Sequence, residues 1–233
     1  MLKVADVMAG YDGSMVLNDL QFEASKGKVV GVLGRNGVGK STLLKSIIGL
    51  IPLKEGQIYF NEQKLKKLPI DKRARLGIGY VPQGREIFST LTVEENILLG
   101  FEMTGKVGKK EKIPDEVFEW FPVLKEMLHR KGGDLSGGQQ QQLAIARAYV
   151  GRPHILLLDE PMEGIQPSIV QLIQRVILKI AQEKNIGVVL VEHDLDLAME
   201  MADYIYVMDH GHMVMAGETK TLNMQEIEKH LTV

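Results

Sequence analysis

Gly34-Arg-Asn-Gly-Val-Gly-Lys-Ser41 is the stretch that decides the fold. It fits G-x-x-x-x-G-K-[ST], a pattern whose glycines let backbone N–H groups curl around phosphate oxygens with no side chain in the way. Lys40 supplies a full positive charge for β- and γ-phosphates, and Ser41 offers an oxygen to Mg²⁺. By average composition the four fixed positions arise by chance in roughly one chain of this length in a hundred. A glycine turn that merely caps a helix is therefore the weaker reading. Context favours the stronger one: the loop follows the apolar run Val29 to Leu33 and opens the helical pattern Lys40 to Ile48, which Gly49 and Pro52 end. The helix N-terminus adds partial positive charge to the loop.

Further Val/Ile/Leu runs bounded by turn residues recur at Ile78 to Val81, Ile155 to Leu158, Val188 to Val191 and Ile205 to Met208, the mark of strands buried on both faces. Between them, Pro167 to Glu183 and Leu195 to Ala202 read as helices. Such alternation predicts an α/β core around a mostly parallel sheet. Leu2 to Val7, Val16 to Ala24 and Gln57 to Phe60 instead read as antiparallel strands joined by turns such as Tyr11-Asp-Gly13. The expectation is a mixed sheet core with an antiparallel β subdomain.

From about Gly84 to Gly151 the texture turns helical. Thr92 and Glu95 form a capping box ahead of Ile97, Leu98 and Leu99, and Pro114-Asp115 opens a segment with Val117, Phe118, Phe121 and Leu124 at helical spacing. One domain over 1–233 is expected, with a helical subdomain (about 84–151) inserted in the α/β core. Within it, Gly105 to Lys112 reads as a solvated loop. Farther on, His210-Gly-His212 reads as a turn between strands, and the methionines of 199–201 and 208–215 as fillers of core and surface gaps.

Two more strand ends carry chemistry. Ile155-Leu-Leu-Leu-Asp-Glu160 is an apolar strand tipped by two carboxylates, for which a buried strand has no structural use. Asp159 is placed to hold a Mg²⁺ shell, and Glu160 to accept a proton from an attacking water. Val189-Leu-Val-Glu-His193 delivers His193 to the same edge, where α/β sheets bind ligands, as a candidate for contacting a γ-phosphate or positioning water. The glutamine run Gln139 to Gln142 divides in two. Gln139 closes the stretch Leu135-Ser-Gly-Gly-Gln139, whereas Gln140 and Gln141 begin a helix whose Leu143, Ala146 and Val150 mark a buried side and which Gly151 and Pro153 end.

Together these motifs resemble the nucleotide-binding subunit of ATP-binding cassette (ABC) transporters across essentially the whole chain. Leu135-Ser-Gly-Gly-Gln139 is the distinguishing motif, which other phosphate-loop ATPases lack. The resemblance implies a phosphate-loop NTPase fold of the ABC type, ATP hydrolysis, and ATP and Mg²⁺ as cofactors. Carried over position by position, Tyr11 would stack on adenine and Val16 would pack nearby. Gly34, Arg35, Asn36, Gly37, Val38, Gly39, Lys40, Ser41 and Thr42 would form the ATP-binding loop. Ser41, Gln83 and Asp159 would hold Mg²⁺. Gln83 would also report to the membrane partner, Glu160 would be the catalytic base and His193 the switch histidine.

Ser136, Gly137, Gly138 and Gln139 of one subunit would close over the ATP held by another. Ser136 can cap the helix that follows, and the two glycines leave backbone N–H groups free to approach a γ-phosphate. The implied partners are a second ATPase subunit, like or unlike, integral-membrane permease subunits and, indirectly, a substrate-binding protein. The implied location is the cytoplasmic face of the inner membrane, as a peripheral subunit. One departure stands out: Gln166 occupies the place where the family usually carries an aspartate that touches the opposite subunit.

Within the family, Tyr80-Val-Pro-Gln-Gly-Arg85 and Val93-Glu-Glu-Asn96 resemble the importer branch for branched-chain amino acids and amides. Glu163-Gly-Ile-Gln-Pro-Ser168 resembles the ATPases of urea importers, where those of branched-chain amino acid importers more often read Leu-Gly-Leu-Ala-Pro. The cargo never touches this subunit, so the resemblance alone implies uptake of urea or a short amide, with branched-chain amino acids as the alternative. A soluble ABC ATPase acting as a scaffold or assembly factor also stays open. A small-molecule kinase would leave Leu135 to Gln139 and His193 unexplained.

Bulk properties exclude other classes. A net charge of −2 on 233 residues argues against nucleic acid as a partner, and the absence of cysteine excludes disulfides, thiolate metal sites and cysteine nucleophiles. The opening residues lack the apolar core of a signal peptide, and no apolar run approaches the ~20 residues that a spanning helix needs.

Overall fold

The chain opens with strands β1 (Leu2–Tyr11) and β2 (Ser14–Ala24), and then β3 (Val29–Leu33) and α1 (Lys40–Ile48) flank the glycine loop. Next come β4 (Leu53–Phe60), β5 (Gln63–Lys64), α2 (Ile70–Arg75) and β6 (Ile78–Val81). Helices α3 (Val93–Leu99), α4 (Asp115–Trp120), α5 (Pro122–Glu126) and α6 (Gly137–Val150) follow. The last part contains β7 (Ile155–Asp159), α7 (Pro167–Gln182), β8 (Gly187–Glu192), α8 (Leu195–Met201), β9 (Tyr204–Asp209), β10 (His212–Glu218) and α9 (Met224–Leu231). This computed structural model describes residues 1–11, 13–105 and 111–231. Asp12 of the expected Tyr11-Asp-Gly13 turn, and 106–110 of the expected loop, lie outside the described residues.

The six-stranded sheet runs β10-β9-β3-β8-β7-β6, all pairs parallel except the edge pair β10 with β9. Strands β2-β1-β4-β5 form a separate antiparallel sheet. The mixed sheet expected from the sequence is the six-stranded one, and the antiparallel segments have a sheet of their own.

Side-chain alternation sorts the core into two layers. Val29, Leu33, Leu156, Leu158, Val188 and Leu190 face one way and pack with Ile173, Val176 and Ile177 of α7 and Leu143 and Ala146 of α6. Val30, Val32, Leu157, Val189 and Val191 face the other way, against Leu43, Leu44 and Ile47 of α1 and Val4, Phe22 and Ile58 of the antiparallel sheet. Both faces are covered, so β3, β7 and β8 are buried at every position and read as unbroken apolar runs. Being parallel, these strands bring Gly34, Glu160 and His193 to the same carboxyl edge.

Where the structure departs from the sequence reading, bulges and caps are the cause. β1 extends past Val7 to Tyr11 because register shifts between Val4 and Val7, with Asp6 at φ 51°, break the period-two pattern without ending the strand. The Thr92–Glu95 capping box is present, with Ile97 buried but Leu98 and Leu99 partly exposed. His210 and Gly211 form the turn between β9 and β10, and Met201 and Met208 are core residues.

Arg73 of α2 locks α1 in place. It is 5% exposed; Nη1 donates to the carbonyl oxygens of Ser46 and Ile47 at 2.8 Å each, and Nε to that of Leu68 at 2.9 Å. Carbonyls in the last turn of a helix lack intrahelical partners, and the guanidinium fork supplies them. Replacing Arg73 by Met should destabilise the chain by about 2–4 kcal/mol in urea unfolding, because buried acceptors lose charged donors. A loss under about 0.5 kcal/mol would contradict this role.

Candidate functional site

The glycine loop is built by its surroundings. A Cβ at Gly34 would lie 2.5 Å from the carbonyl oxygen of Met208, so only glycine fits there. Gly39, the N-cap of α1, takes φ 116°, a conformation that side-chain-bearing residues avoid. The N–H of Gly211, in the β9–β10 turn, donates to the carbonyl oxygen of Val38 at 2.9 Å and braces the loop from outside. Val16 of β2 packs beside Gly39, and Tyr11 stands at the end of β1 with 46% of its surface exposed.

Lys40 points back into this loop. Its Nζ donates to the carbonyl oxygens of Gly34 at 2.7 Å and Arg35 at 3.0 Å, and pairs with Glu160 Oε1 at 3.2 Å. The two side chains are 4% and 5% exposed. Glu160 follows β7 at φ 46°, with its N–H donating to the carbonyl oxygen of Val191 at 3.0 Å. Its Oε2 accepts from Gln83 Nε2 at 3.2 Å and lies 3.6 Å from His193 Nδ1. Glu160 thus meets an ammonium on one oxygen and an amide and an imidazole on the other.

Asp159 faces a different set. Ser41 Oγ donates to its Oδ1 at 3.0 Å, and the Tyr80 hydroxyl to its Oδ2 at 3.3 Å. Burial raises the pKa of Asp159, and the Ser41 and Tyr80 hydrogen bonds oppose the rise. Burial and the Asp159 carboxylate push the Tyr80 phenol far above its ordinary range, so it stays a donor.

The adjacent Ser41 hydroxyl and Asp159 carboxylate are hard oxygen donors of the kind Mg²⁺ takes alongside phosphates and water. Among the described residues no group of three His, Cys, Asp or Glu side chains is set to hold a metal by protein ligands alone. The Ser41–Asp159 pair fits a cation shared with a nucleotide. Gln83 does not join Ser41 and Asp159; its Nε2 goes to Glu160 and, at 2.9 Å, to Glu163 Oε2.

The Ser136–Gln139 stretch is organised more tightly than the sequence reading expects. Ser136 caps α6, accepting from the Gln139 N–H at 3.4 Å, while Gln139 Oε1 accepts from the Ser136 N–H at 2.9 Å. This capping box starts the helix at Gly137, so the expected start at Gln140 and Gln141 is corrected by three residues. Gln141 and Gln142 are buried, and Gln140 Nε2 reaches back to the carbonyl oxygen of Leu135 at 3.2 Å. Among the described residues, no hydrogen bond or ion pair joins Ser136–Gln139 to Gly34–Thr42. Gln166 is the N-cap of α7 without a side-chain cap bond.

Three contributors escape a motif reading: the Tyr80 hydroxyl, Glu163 and Arg85. Arg85, at φ 73°, donates through Nη2 to the Glu163 carbonyl oxygen at 3.4 Å and lies over Gly137, where a Cβ would come within 2.8 Å of Nη1. Tyr80 to Arg85 and Glu163 to Ser168 mark a branch of the family in the sequence, but a lone hydroxyl-bearing residue in the apolar strand β6 and glycines next to Arg85 and Glu163 do not announce these contacts.

The cap gives a direct check. Ser136→Ala should lower stability by about 1 kcal/mol in urea unfolding, and a loss near zero would show that the cap contributes nothing to α6.

A sequence model of the family described as ABC transporter matches residues 17–163. The chain is 37% identical over 222 residues to the probable branched-chain amino acid transport ATP-binding protein LivF of Archaeoglobus fulgidus, covering 95% of this chain and 94% of that protein. It is 40% identical over 215 residues to the high-affinity branched-chain amino acid transport ATP-binding protein BraG of Pseudomonas aeruginosa, covering 92% and 91%. Among solved structures, the ATP-binding cassette MJ0796 in a dimeric post-hydrolysis state bound to ADP and Pi matches with a TM-score of 0.84 at 27% identity, over 95% of this chain and 100% of that one.

Proposed function

The chain belongs to the ABC transporter ATPases, and on that premise we propose that it hydrolyses ATP at a site shared by two subunits to drive an importer of the branched-chain amino acid and amide branch. The observation that carries the reading is the set of contacts on Glu160: Lys40 from the glycine loop, Gln83 from the loop after β6, and His193 from the end of β8.

In this reading the backbone N–H groups of Gly34–Thr42 and the Lys40 ammonium take the phosphates. Lys40 turns from Glu160 to the nucleotide, and this leaves the Glu160 carboxylate ready to take a proton from water. Ser41 and Asp159 would hold Mg²⁺, which would supply charge neutralisation for the phosphates. His193, next to Glu160, orients the water or touches the γ-phosphate. Tyr11 and Val16 line the base end.

The Ser136–Gln139 helix start makes no polar contact with its own chain's phosphate loop and offers N–H groups and dipole charge to the γ-phosphate of a second subunit. The likeness to a dimeric cassette supports that arrangement. Closing on ATP and opening after hydrolysis then move a membrane partner between two states. No helix among the described residues is long and apolar enough to cross a membrane. In this reading the chain meets the membrane through permease subunits, at its cytoplasmic face, and the importer takes its cargo from a substrate-binding protein.

The run Glu163 to Ser168 supports urea as the cargo. A second reading, branched-chain amino acids, is favoured by the names of the relatives that are 37% and 40% identical. Uptake of labelled urea and leucine by cells carrying the intact system and by cells lacking this chain separates the two. Co-purification with integral-membrane subunits separates transport from a soluble role.

Glu160→Gln should keep Mg-ATP binding, accumulate as a closed dimer on gel filtration with ATP, and lose about 100-fold or more in turnover. Turnover near the parent's would remove Glu160 as the base. Lys40→Ala should weaken ATP binding measured by calorimetry, and unchanged affinity would count against the phosphate-loop reading. That variant also leaves Glu160 buried without its counter-charge, so a loss of about 3–5 kcal/mol in nucleotide-free stability should accompany it.

A further inference from the structure

The loop after β6 passes three times through the left-handed region, at Gly84 (φ 77°), Arg85 (φ 73°) and Glu86 (φ 43°). Arg85 and Glu86 carry side chains, and such residues hold this conformation only where their surroundings fix it. α6 does the fixing. Arg147 Nη2 donates to the carbonyl oxygens of Glu86 at 2.9 Å and Arg85 at 3.4 Å, and its guanidinium lies over the Phe88 ring. The turn sends the Arg85 side chain back to the other end of the same helix. A Cβ at Gly137, the first residue of α6, would lie 2.8 Å from Arg85 Nη1 and 3.1 Å from both Cζ and Nη2, so the guanidinium lies flat on that glycine. From there Nη2 donates to the carbonyl oxygen of Glu163 at 3.4 Å.

Charge does not explain this placement. A helix N-terminus carries partial positive charge, which a guanidinium opposes. Among the described residues no ion pair neutralises Arg85, and the Glu163 carboxylate is turned to Gln83 Nε2 at 2.9 Å. What Arg85 does is join two segments that border one cleft of about 300 Å³, lined by Arg85, Gln141, Glu160 and Glu163. One segment is the start of α6, and the other is the loop that continues from Glu160. Gly138, next along α6, faces α7: a Cβ there would meet Ile169 at 3.1 Å and Ile165 at 3.5 Å. The helix start is thus held by a polar contact on one side and by apolar contacts on the other.

We propose that Arg85 is a positioning residue, which fixes the start of α6 against the loop that follows Glu160 and so presents Ser136–Gln139 to the ATP of a second subunit in step with the base. The inference rests on the two-subunit reading of the site. Among the described residues no hydrogen bond or ion pair joins Arg85 to Glu160 or to Gly34–Thr42, so it acts through Gly137 and Glu163. The planar guanidinium covers a glycine with its face and donates from its edge, which a lysine ammonium cannot do. Its loss leaves nucleotide binding by the single chain untouched and weakens the pairing of subunits.

The test compares the full chain with Arg85→Gly and Arg85→Lys. Glycine takes φ 73° without strain, so Arg85→Gly should melt within about 2 °C of the parent or above it. Its affinity for Mg-ATP, measured where the chain is monomeric, should stay within about twofold, while kcat falls about tenfold. In a Glu160→Gln background the ATP-induced dimer should need about tenfold more protein to form. Arg85→Lys should stay close to Arg85→Gly in turnover. The chain has no cysteine, so nitroxides on Lys131→Cys, just before α6, and Lys179→Cys, in α7, report the distance between the two segments by electron-electron resonance. Its distribution should be narrow in the parent and broader in Arg85→Gly. Parental kcat and dimerisation in Arg85→Gly would overturn the proposal, as would an unchanged distance distribution or full turnover in Arg85→Lys. A fall in Tm of more than about 5 °C in Arg85→Gly would make Arg85 a merely structural residue and overturn it too. If Glu160→Gln alone forms no dimer with ATP, the two-subunit reading fails, and the distance distribution still decides whether Arg85 holds α6.

Discussion

Lys40 and Glu160 lie 3.2 Å apart with side chains 4% and 5% exposed. Taking two such charges out of water costs several kcal/mol each, and their attraction offsets this only where the geometry is fixed and the remaining donors and acceptors are satisfied. The surrounding structure meets both conditions. The glycine loop offers Lys40 two carbonyl oxygens, and Gln83 and His193 approach the second oxygen of Glu160. Both residues hang from the carboxyl edge of one parallel sheet, β3 leading to Lys40 and β7 to Glu160. The apolar layers on both faces of that sheet hold the pair in register.

The same edge carries three carboxyl groups in different surroundings. Asp159 receives hydroxyl groups from Ser41 and Tyr80, which suits an oxygen ligand for a cation. Glu160 receives an ammonium on one oxygen and an amide and an imidazole on the other. Glu192, at the end of β8, is 2% exposed and its Oε1 has no hydrogen-bond partner among the described residues. Separate environments let neighbouring acids in one cleft do separate work.

Much of this is legible in the sequence. β3, β7 and β8 announce themselves as unbroken apolar runs because both of their faces are covered, and Lys40 to Ile48 stops where Gly49 takes a left-handed conformation. The phosphate loop can be read because its shape is local, set by glycines within eight residues. What stays hidden depends on contacts between distant segments or on local geometry that residue type leaves open. Nothing in the string distinguishes Glu160, Glu163 and Glu192 by burial, and nothing announces that Arg85 lies over Gly137. The glutamine run misleads in a similar way. Ser136 is legible as the cap of α6, but a run of four glutamines does not announce that Gln139 is the third residue of that helix and half of its cap, or that Gln141 and Gln142 face inward. Bulges in β1 hide four further strand residues for the same reason: they interrupt a period without interrupting the strand.

The most direct test of the account is a crystal structure of the chain with Mg²⁺ and a non-hydrolysable ATP analogue. The account predicts the β- and γ-phosphates against the N–H groups of Gly34–Thr42, Lys40 Nζ moved from Glu160 onto phosphate oxygen, and the cation on Ser41 and Asp159. Phosphates bound elsewhere, or a Lys40–Glu160 pair left intact beside bound nucleotide, would contradict it.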